Sequence, residues 1–144
     1  MTPELKSRLD AVFRPKSVAV IGAVPDQTRV GNAILDSLIT GGYPGKIFPI
    51  HPRHDSIMGC KVIRSLDDLP EIPDLAVVAL NQRASVDTVG RLSAMGVRGA
   101  VALAGGYSEM GKEGGVLQEE LRKDAGPMPI IGPNTLGFLN ANSN

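Results

Sequence analysis

Four short, almost unbroken apolar runs, at 17–22, 75–80, 99–104 and 128–131, each stop at a glycine or a polar turn, and segments of helical period lie between them. Strands of that kind have no polar face. They must be covered on both sides, and the usual setting is a parallel sheet whose helical crossovers supply the cover. The intervening segments suit that role. Ala33, Ile34 and Leu38 follow Val30 on one helical face that Gly41-Gly42 stops, 84–95 closes at Gly96, and 114–125 carries Glu119 and Lys123 four apart. The run 46–50 predicts a further strand, although Pro49 removes a ladder donor. Between His51 and Pro73 the chain is rich in Pro, Asp and Gly, which predicts a loop with at most a short strand near 61–63 and a turn at Asp67-Asp68. Leu5, Leu9, Val12 and Phe13, at helical spacing before Pro15, predict a leading helix packed on the outside. The expectation is a single α/β domain, a doubly wound parallel sheet of about five strands with helices on both faces. Residues 1–16 form the leading helix and 17–144 the domain proper.

The formal net charge is zero, so no overall basic field gathers nucleic acid or an anionic membrane, and any recognition of an anion must be local. Trp is absent and aromatics are 3%, which leaves few stacking platforms for single strands. The single cysteine, Cys60, excludes an internal disulfide and suits a reducing compartment; it is read as an incidental thiol. The first residues lack a signal-peptide pattern, and no apolar run has spanning length. The expectation is a cytoplasmic chain with no nucleic-acid or membrane partner, and with no catalytic or metal-ligating set of its own.

In an open parallel sheet the ligand crevice lies beyond the carboxyl ends of the strands, where Gly-rich turns and helix N-termini offer N–H groups to phosphate. Gly22 and Ala23 follow the first strand, and Val30 and Gly31 open the next helix, so small residues at both ends of the loop admit a diphosphate to the backbone. The two glycines are nine apart, which is not the compact Gly-x-Gly-x-x-Gly fingerprint. The second strand ends in Ile50-His51-Pro52-Arg53-His54, where a nicotinamide-binding fold places an acidic residue for the ribose. A basic cluster suits a ribose carrying an extra phosphate, which coenzyme A has on its 3′ hydroxyl and NADP on its 2′ hydroxyl; NAD is disfavoured. Three more strand ends carry Asn81-Gln82-Arg83, Gly105-Gly106-Tyr107-Ser108-Glu109, and Gly132-Pro133-Asn134-Thr135, the last a turn that aims the Asn134 amide and the Thr135 hydroxyl at one edge.

Taken together, Arg14-Pro15-Lys16-Ser17-Val18-Ala19-Val20-Ile21-Gly22-Ala23 and Gly132-Pro133-Asn134-Thr135-Leu136-Gly137 resemble the amino-terminal coenzyme A-binding domain of NDP-forming acyl-CoA synthetases. Gly45-Lys46-Ile47-Phe48-Pro49-Ile50, Ser65-Leu66-Asp67-Asp68-Leu69-Pro70, Asp74-Leu75-Ala76-Val77 and Gly106-Tyr107-Ser108-Glu109 match in order and spacing. That family includes ADP-forming acetyl-CoA synthetases, is similar to the succinyl-CoA synthetase α subunit, and shares the module with some protein lysine acetyltransferases. The resemblance implies a Rossmann-like fold with coenzyme A over the strand ends. Gly22, Ala23, Val24, Val30 and Gly31 lie near its phosphates and ribose, with His51 or Arg53 as the basic partner and Pro52 between them in the same binding loop. Asn81, Gln82 and Arg83 lie beside the adenine and pantetheine path, and Gly105, Gly106, Asn134 and Thr135 approach the thiol end. The sequence departs from the family pattern at four places: Val24-Pro25 stands where Ser is frequent, His51 where Asn, Asn81 where Pro, and Thr135 where Cys. The missing hydroxyl weakens phosphate binding in the first loop, and Asn81 and Thr135 alter the surroundings of the thiol.

In the family, acid, coenzyme A and ATP give acyl-CoA, ADP and phosphate through a phosphohistidine. The phosphorylated His and an ATP-grasp domain, which uses ATP, ADP and Mg, belong to other domains that 144 residues cannot hold. The resemblance therefore implies a piece of a longer multidomain protein whose role is to position the coenzyme. Two alternatives are a coenzyme A-binding regulatory module of a lysine acetyltransferase and a free-standing coenzyme A- or NADP-binding protein.

Overall fold

A computed structural model of the chain describes residues 1–138; residues 139–144 of the expected domain lie outside the described residues. In chain order the elements are α1 (Pro3–Phe13), β1 (Ser17–Ile21), α2 (Val30–Thr40), β2 (Lys46–Ile50), β3 (Ser56–Ile57), β4 (Cys60–Lys61), β5 (Leu75–Val78), α3 (Gln82–Met95), β6 (Gly99–Ala102), α4 (Lys112–Ala125) and β7 (Ile130–Ile131). Five strands form one parallel sheet in the order β2-β1-β5-β6-β7. Every residue of β1, β5 and β6 is buried, as their apolar sequences require. Successive side chains point to opposite faces. Ala19, Ile21, Ala76, Val78 and Ala100 pack with Val86, Val89 and Leu92 of α3 and Leu121 of α4. Val18, Val20, Leu75, Val77 and Val101 pack with Val12 of α1 and Leu35 of α2.

From β1 the chain moves outward to β2 through α2 on one face, then returns past β1 to β5 and proceeds the other way through α3 and α4 on the opposite face. Right-handed crossovers in two opposite directions place helices on opposite faces, and the reversal leaves a crevice between the carboxyl ends of β1 and β5.

Pro49 sits in β2 without breaking it. Its carbonyl accepts from the Ile63 N–H at 2.8 Å, and the His51 N–H donates to the Ile63 carbonyl at 3.0 Å, so position 49 turns its backbone polar groups away from β1. The missing N–H therefore removes no bond of the β1–β2 ladder. Around Ile63 the expected short strand is a single bridge, and the regular pairing falls earlier, in an antiparallel hairpin of β3 and β4. Its two-residue turn is Met58-Gly59, with φ of 51° and 79°, the backbone sense that suits a tight hairpin. The 114–125 helix begins two residues early, and Glu119 pairs with Arg122 rather than Lys123. Among the described residues no helix is long and apolar enough to cross a membrane.

The amino ends of the strands are tied together. Asp74 accepts from the Lys16 N–H at 2.8 Å, its own N–H donates to the Ser17 hydroxyl at 3.1 Å, and Arg98 lies 3.7 Å from its carboxylate. Tyr43 donates to the Pro15 carbonyl at 2.8 Å; burial and the Asp74 charge push its pKa up to about 12. Helix α1 starts at Thr2, whose hydroxyl accepts from the Leu5 N–H, and docks through its last turn. Ala11 and Val12 are buried, whereas Leu5 and Phe13, expected on the buried face, are 40% and 44% exposed. The Phe13 ring meets Phe138 edge-on at 5.2 Å.

A Cβ placed on Gly99 would lie 2.2 Å from the Val12 Cγ2, so the two positions share one space. Val12→Ala is expected to cost about 2 kcal/mol. Gly99→Ala is expected to cost about 1–3 kcal/mol in the wild-type background and close to nothing in the Val12→Ala background. Urea unfolding of the four proteins measures the coupling, and additive effects would contradict the docking of α1 on β6.

Candidate functional site

The crevice at the reversal point is a cleft of about 790 Å³ lined by the ends of β1, β2, β5 and β6 and the start of α2. Its floor is apolar, with Ile21, Ile50, Leu80 and Leu103, and its polar rim includes Arg29, His51 and Asn81. The loops around it are stitched by backbone bonds. The Gly22 N–H donates to the Ile50 carbonyl at 3.1 Å, Ala79 to Ile21 at 2.9 Å, Leu103 to Val78 at 3.2 Å, and Asn134 to Ala104 at 2.9 Å.

Gly22 and Gly31, nine residues apart in sequence, touch in the fold. Gly22 has φ of +88°, and a Cβ on it would fall 2.4 Å from the Ala79 carbonyl oxygen; a Cβ on Gly31 would fall 2.1 Å from the Gly22 carbonyl oxygen. Only bare backbone lets the first turn of α2 come this close to the end of β1. The helix start has no side-chain cap from its N-cap residue, Arg29. Its first N–H groups have no partner within the helix, and they lie at the positive end of the helix dipole. The intervening loop is held internally. Asp26 accepts from the Thr28 N–H at 2.9 Å and the Thr28 hydroxyl at 2.7 Å, and the buried Asn32 amide donates to the Val24 carbonyl at 2.8 Å. Those Thr28 bonds, with Arg29 nearby, hold the Asp26 carboxyl below its ordinary pKa.

On the β2 side, the His51 ring lies 4.5 Å from the His54 ring, centroid to centroid, and its Nδ1 accepts from the Arg53 N–H at 3.2 Å. Burial first, then the His54 and Arg53 charges, hold His51 below the usual histidine range.

The expected site residues separate into three groups. Gly22, Val24, Val30, Gly31, His51, Pro52 and Asn81 line the cleft together. Asn81 also caps α3, accepting from the Ala84 N–H at 3.0 Å. Gln82, Gly105, Gly106 and Asn134 meet in a second cluster beside Ala104. There the Gln82 amide donates to the Gly106 carbonyl at 2.8 Å, the Tyr107 hydroxyl donates to the Gln82 carbonyl at 3.3 Å, and the Asn134 Oδ1 lies 3.1 Å from where a Gly105 Cβ would sit. Bonds from the Glu109 backbone first, then from the Gly106 N–H and the Tyr107 backbone, hold the Glu109 carboxyl below its ordinary pKa. The third group is not part of the cleft lining. Ala23 is fully buried in the core beneath it, Arg53 is exposed beyond Pro52, Arg83 pairs with Glu120 of α4 at 2.6 Å, and the Thr135 hydroxyl accepts from the Gly137 N–H at 3.2 Å.

Sequence reasoning passed over Arg29, which the fold puts in the cleft wall. The available signal was a cation directly before the helix that follows the first strand. The apolar floor was hidden because Ile21, Leu80 and Leu103 read only as strand interior.

Over residues 16–141 the sequence matches the CoA binding domain family. It is 39% identical over 135 residues to a trans-feruloyl-CoA synthase from an unknown prokaryotic organism, with 92% of this chain and 19% of that protein covered. It is 36% identical over 132 residues to the ADP-forming acetate–CoA ligase II of Archaeoglobus fulgidus, with 90% and 20% covered. The solved structure of the dinucleotide-forming acetyl-coenzyme A synthetase 1 of Candidatus Korarchaeum cryptofilum superposes with a TM-score of 0.88 at 34% identity, covering 93% of this chain and 29% of that one. The chain therefore spans 19% and 20% of the length of these two curated relatives.

Gly31→Ala is expected to destabilise the fold by about 1–3 kcal/mol, because backbone rather than a flexible side chain meets the new methyl. Gly115→Ala, in α4 with nothing within 4 Å of its Cβ position, is expected to stabilise by about 0.5–1 kcal/mol. Thermal or urea denaturation of the two variants should shift in opposite directions.

Proposed function

The chain belongs to the CoA binding domain family, and from that premise we propose that it is the coenzyme-positioning part of an ADP-forming acyl-CoA synthetase. One observation carries the reading furthest. At the reversal point of the sheet, the bare backbone of Gly22 and Gly31, the uncapped start of α2 with Arg29, and His51 converge on a single apolar-floored cleft. The residues fit the coenzyme. Phosphate oxygens require close-approaching N–H groups and local positive charge, and the apolar part of the ligand requires a floor such as Ile21, Leu80 and Leu103.

On this reading Gly22, Val24, Arg29, Val30 and Gly31 hold the diphosphate, with Ala23 as the buried support beneath them. His51, Pro52 and Arg53 hold the 3′-phosphate side. Asn81 and Gln82 border the path toward Gly105, Gly106, Asn134 and Thr135, and Arg83 fixes α3 to α4 through Glu120. The bound coenzyme supplies a thiol to take up the acyl group. The loops contribute by fixing its position and restricting its motion, which lowers the entropic part of the barrier when an acyl phosphate is delivered. A phosphohistidine domain and an ATP-grasp domain, with ATP, ADP and Mg, supply that acyl phosphate elsewhere in the protein or in a partner. The fraction of the relatives' length that this chain spans supports such a division. Cytoplasmic location suits these nucleotides and the lone thiol of Cys60.

Calorimetric titration with coenzyme A, dephospho-coenzyme A, NADP and NAD tests the proposal. Coenzyme A is expected to bind best, and at a hundred times its dissociation constant to add about 2.7 kcal/mol of stability. Arg29→Gln is expected to weaken coenzyme A and dephospho-coenzyme A alike by about tenfold, the loss of one charge-assisted contact. Arg53→Gln is expected to weaken coenzyme A alone. Binding of NADP without coenzyme A would overturn the reading.

A further inference from the structure

The β2 exit loop carries two imidazoles in contact, and only one of them, His51, lines the cleft. The contact restricts their charge: protonating both would place two cations with ring centres 4.5 Å apart, beside the Arg53 guanidinium, in a loop with no carboxylate bonded to either ring. The Nδ1 of His51 accepts from the Arg53 backbone N–H, so the neutral ring carries its proton on Nε2. A second proton can be added only by giving up that bond.

Other charges around the pair are already engaged. Arg64 donates to the Pro52 carbonyl at 3.3 Å and pairs with Asp55 at 2.5 Å. Across the cleft, Arg29 lies 3.9 Å from Asp26, whose carboxylate is held by Thr28. The carboxylates of these segments, Asp55 and Asp26, are thus each paired with an arginine. An incoming phosphate dianion would bring the pair an anion not already compensated.

We propose that the His51–His54 pair makes recognition of the coenzyme's terminal phosphomonoester proton-coupled: the cleft takes up a proton when it binds coenzyme A and takes up less when it binds the dephosphorylated form. This inference rests on the coenzyme reading above and names the groups that select the phosphorylated ligand. In the free protein burial, then the neighbouring His54 and Arg53 charges, keep His51 below the usual histidine range, and its ring lies tilted against that of His54. A dianion raises that pKa. Between the free and bound values, binding takes up a proton and affinity rises as pH falls; above the bound value the gain is lost. Each unit of increase corresponds to about a tenfold gain in affinity.

Calorimetry of the whole chain near neutral pH, in buffers of low and high ionisation enthalpy, counts the protons exchanged with coenzyme A and with dephospho-coenzyme A. The expected result is greater proton uptake with coenzyme A, and a preference for coenzyme A over its dephospho form up to about tenfold larger near pH 6.5 than near pH 8. His51→Asn removes the titrating ring and leaves the ligand's own phosphate ionisation, so the difference between it and the wild type isolates the pair. His54→Gln removes the neighbouring charge, and the pH at which the preference fades is expected to move upward. Equal proton counts for the two ligands, or a count unchanged by His51→Asn, would overturn the inference while leaving the coenzyme reading intact. Failure of coenzyme A to bind at either pH would overturn both.

Discussion

The approach of Gly31 to the carbonyl of Gly22 is the contact on which the cleft depends. A Cβ at either residue would collide with backbone, at Gly31 with the Gly22 carbonyl and at Gly22 with that of Ala79. Three segments, the β1 exit, the first turn of α2 and the β5 exit, therefore meet without side chains between them. That closeness fixes the position of the uncapped end of α2 relative to the sheet. It also puts Arg29, itself largely exposed, at the cleft wall. A helix start displaced outward by one methyl would leave the same residues with a wider and less directed mouth, because the N–H groups of a helix end act only over its first turn.

The interior explains why this contact stays rigid. β1 lies between two other strands and buries residues on both faces, α1 and α2 covering one and α3 and α4 the other. Its amino end is tied to Asp74, and its carboxyl end donates from Gly22 to Ile50 and accepts at Ile21 from Ala79. The surface ion pairs between Arg83 and Glu120 and between Arg91 and Asp67 connect α3 to its surroundings but are solvent-exposed, and pairs of that kind contribute little stability. Packing of the strands holds the site, and the charges at its rim are free to serve recognition.

How much of this was legible in the sequence depends on which physical signal each feature leaves. The sheet was legible because buried parallel strands require continuous apolar runs, and the helices because their apolar residues keep a 3.6-residue period. Strand ends were not, because Leu80, Leu103 and Ala104 are apolar for the cleft floor rather than for the ladder, and so extended the predicted strands past their last paired residues. The Met58-Gly59 hairpin turn was missed because Met at positive φ leaves no compositional mark. In the site, the glycines and the basic loop pointed to strand ends that border one cleft, and that cleft gathers seven of the expected residues. Chain neighbourhood misled for Arg83: one residue beyond Gln82 on a helix is about 100° around its axis, enough to carry the guanidinium to α4. Arg29 went unread because a lone cation before a helix is common, and only the fold places it in one cleft with His51.

A chain of zero net charge has no long-range field with which to collect an anion, so recognition must come from groups within a few ångströms of it. The cleft lining has two such places: the α2 start with Arg29, and the β2 exit with His51, beyond which Arg53 is exposed. They differ in kind. Arg29 presents a guanidinium whose charge is partly compensated by Asp26 at 3.9 Å. His51 is held below the usual histidine range by burial and the His54 and Arg53 charges, so its charge depends on what lies beside it. With Val24-Pro25 in place of a hydroxyl donor, the first loop relies on backbone N–H groups and one compensated cation. On the proposed reading, discrimination between ligands that share a diphosphate then comes from the His51 side, where the charge depends on what is bound.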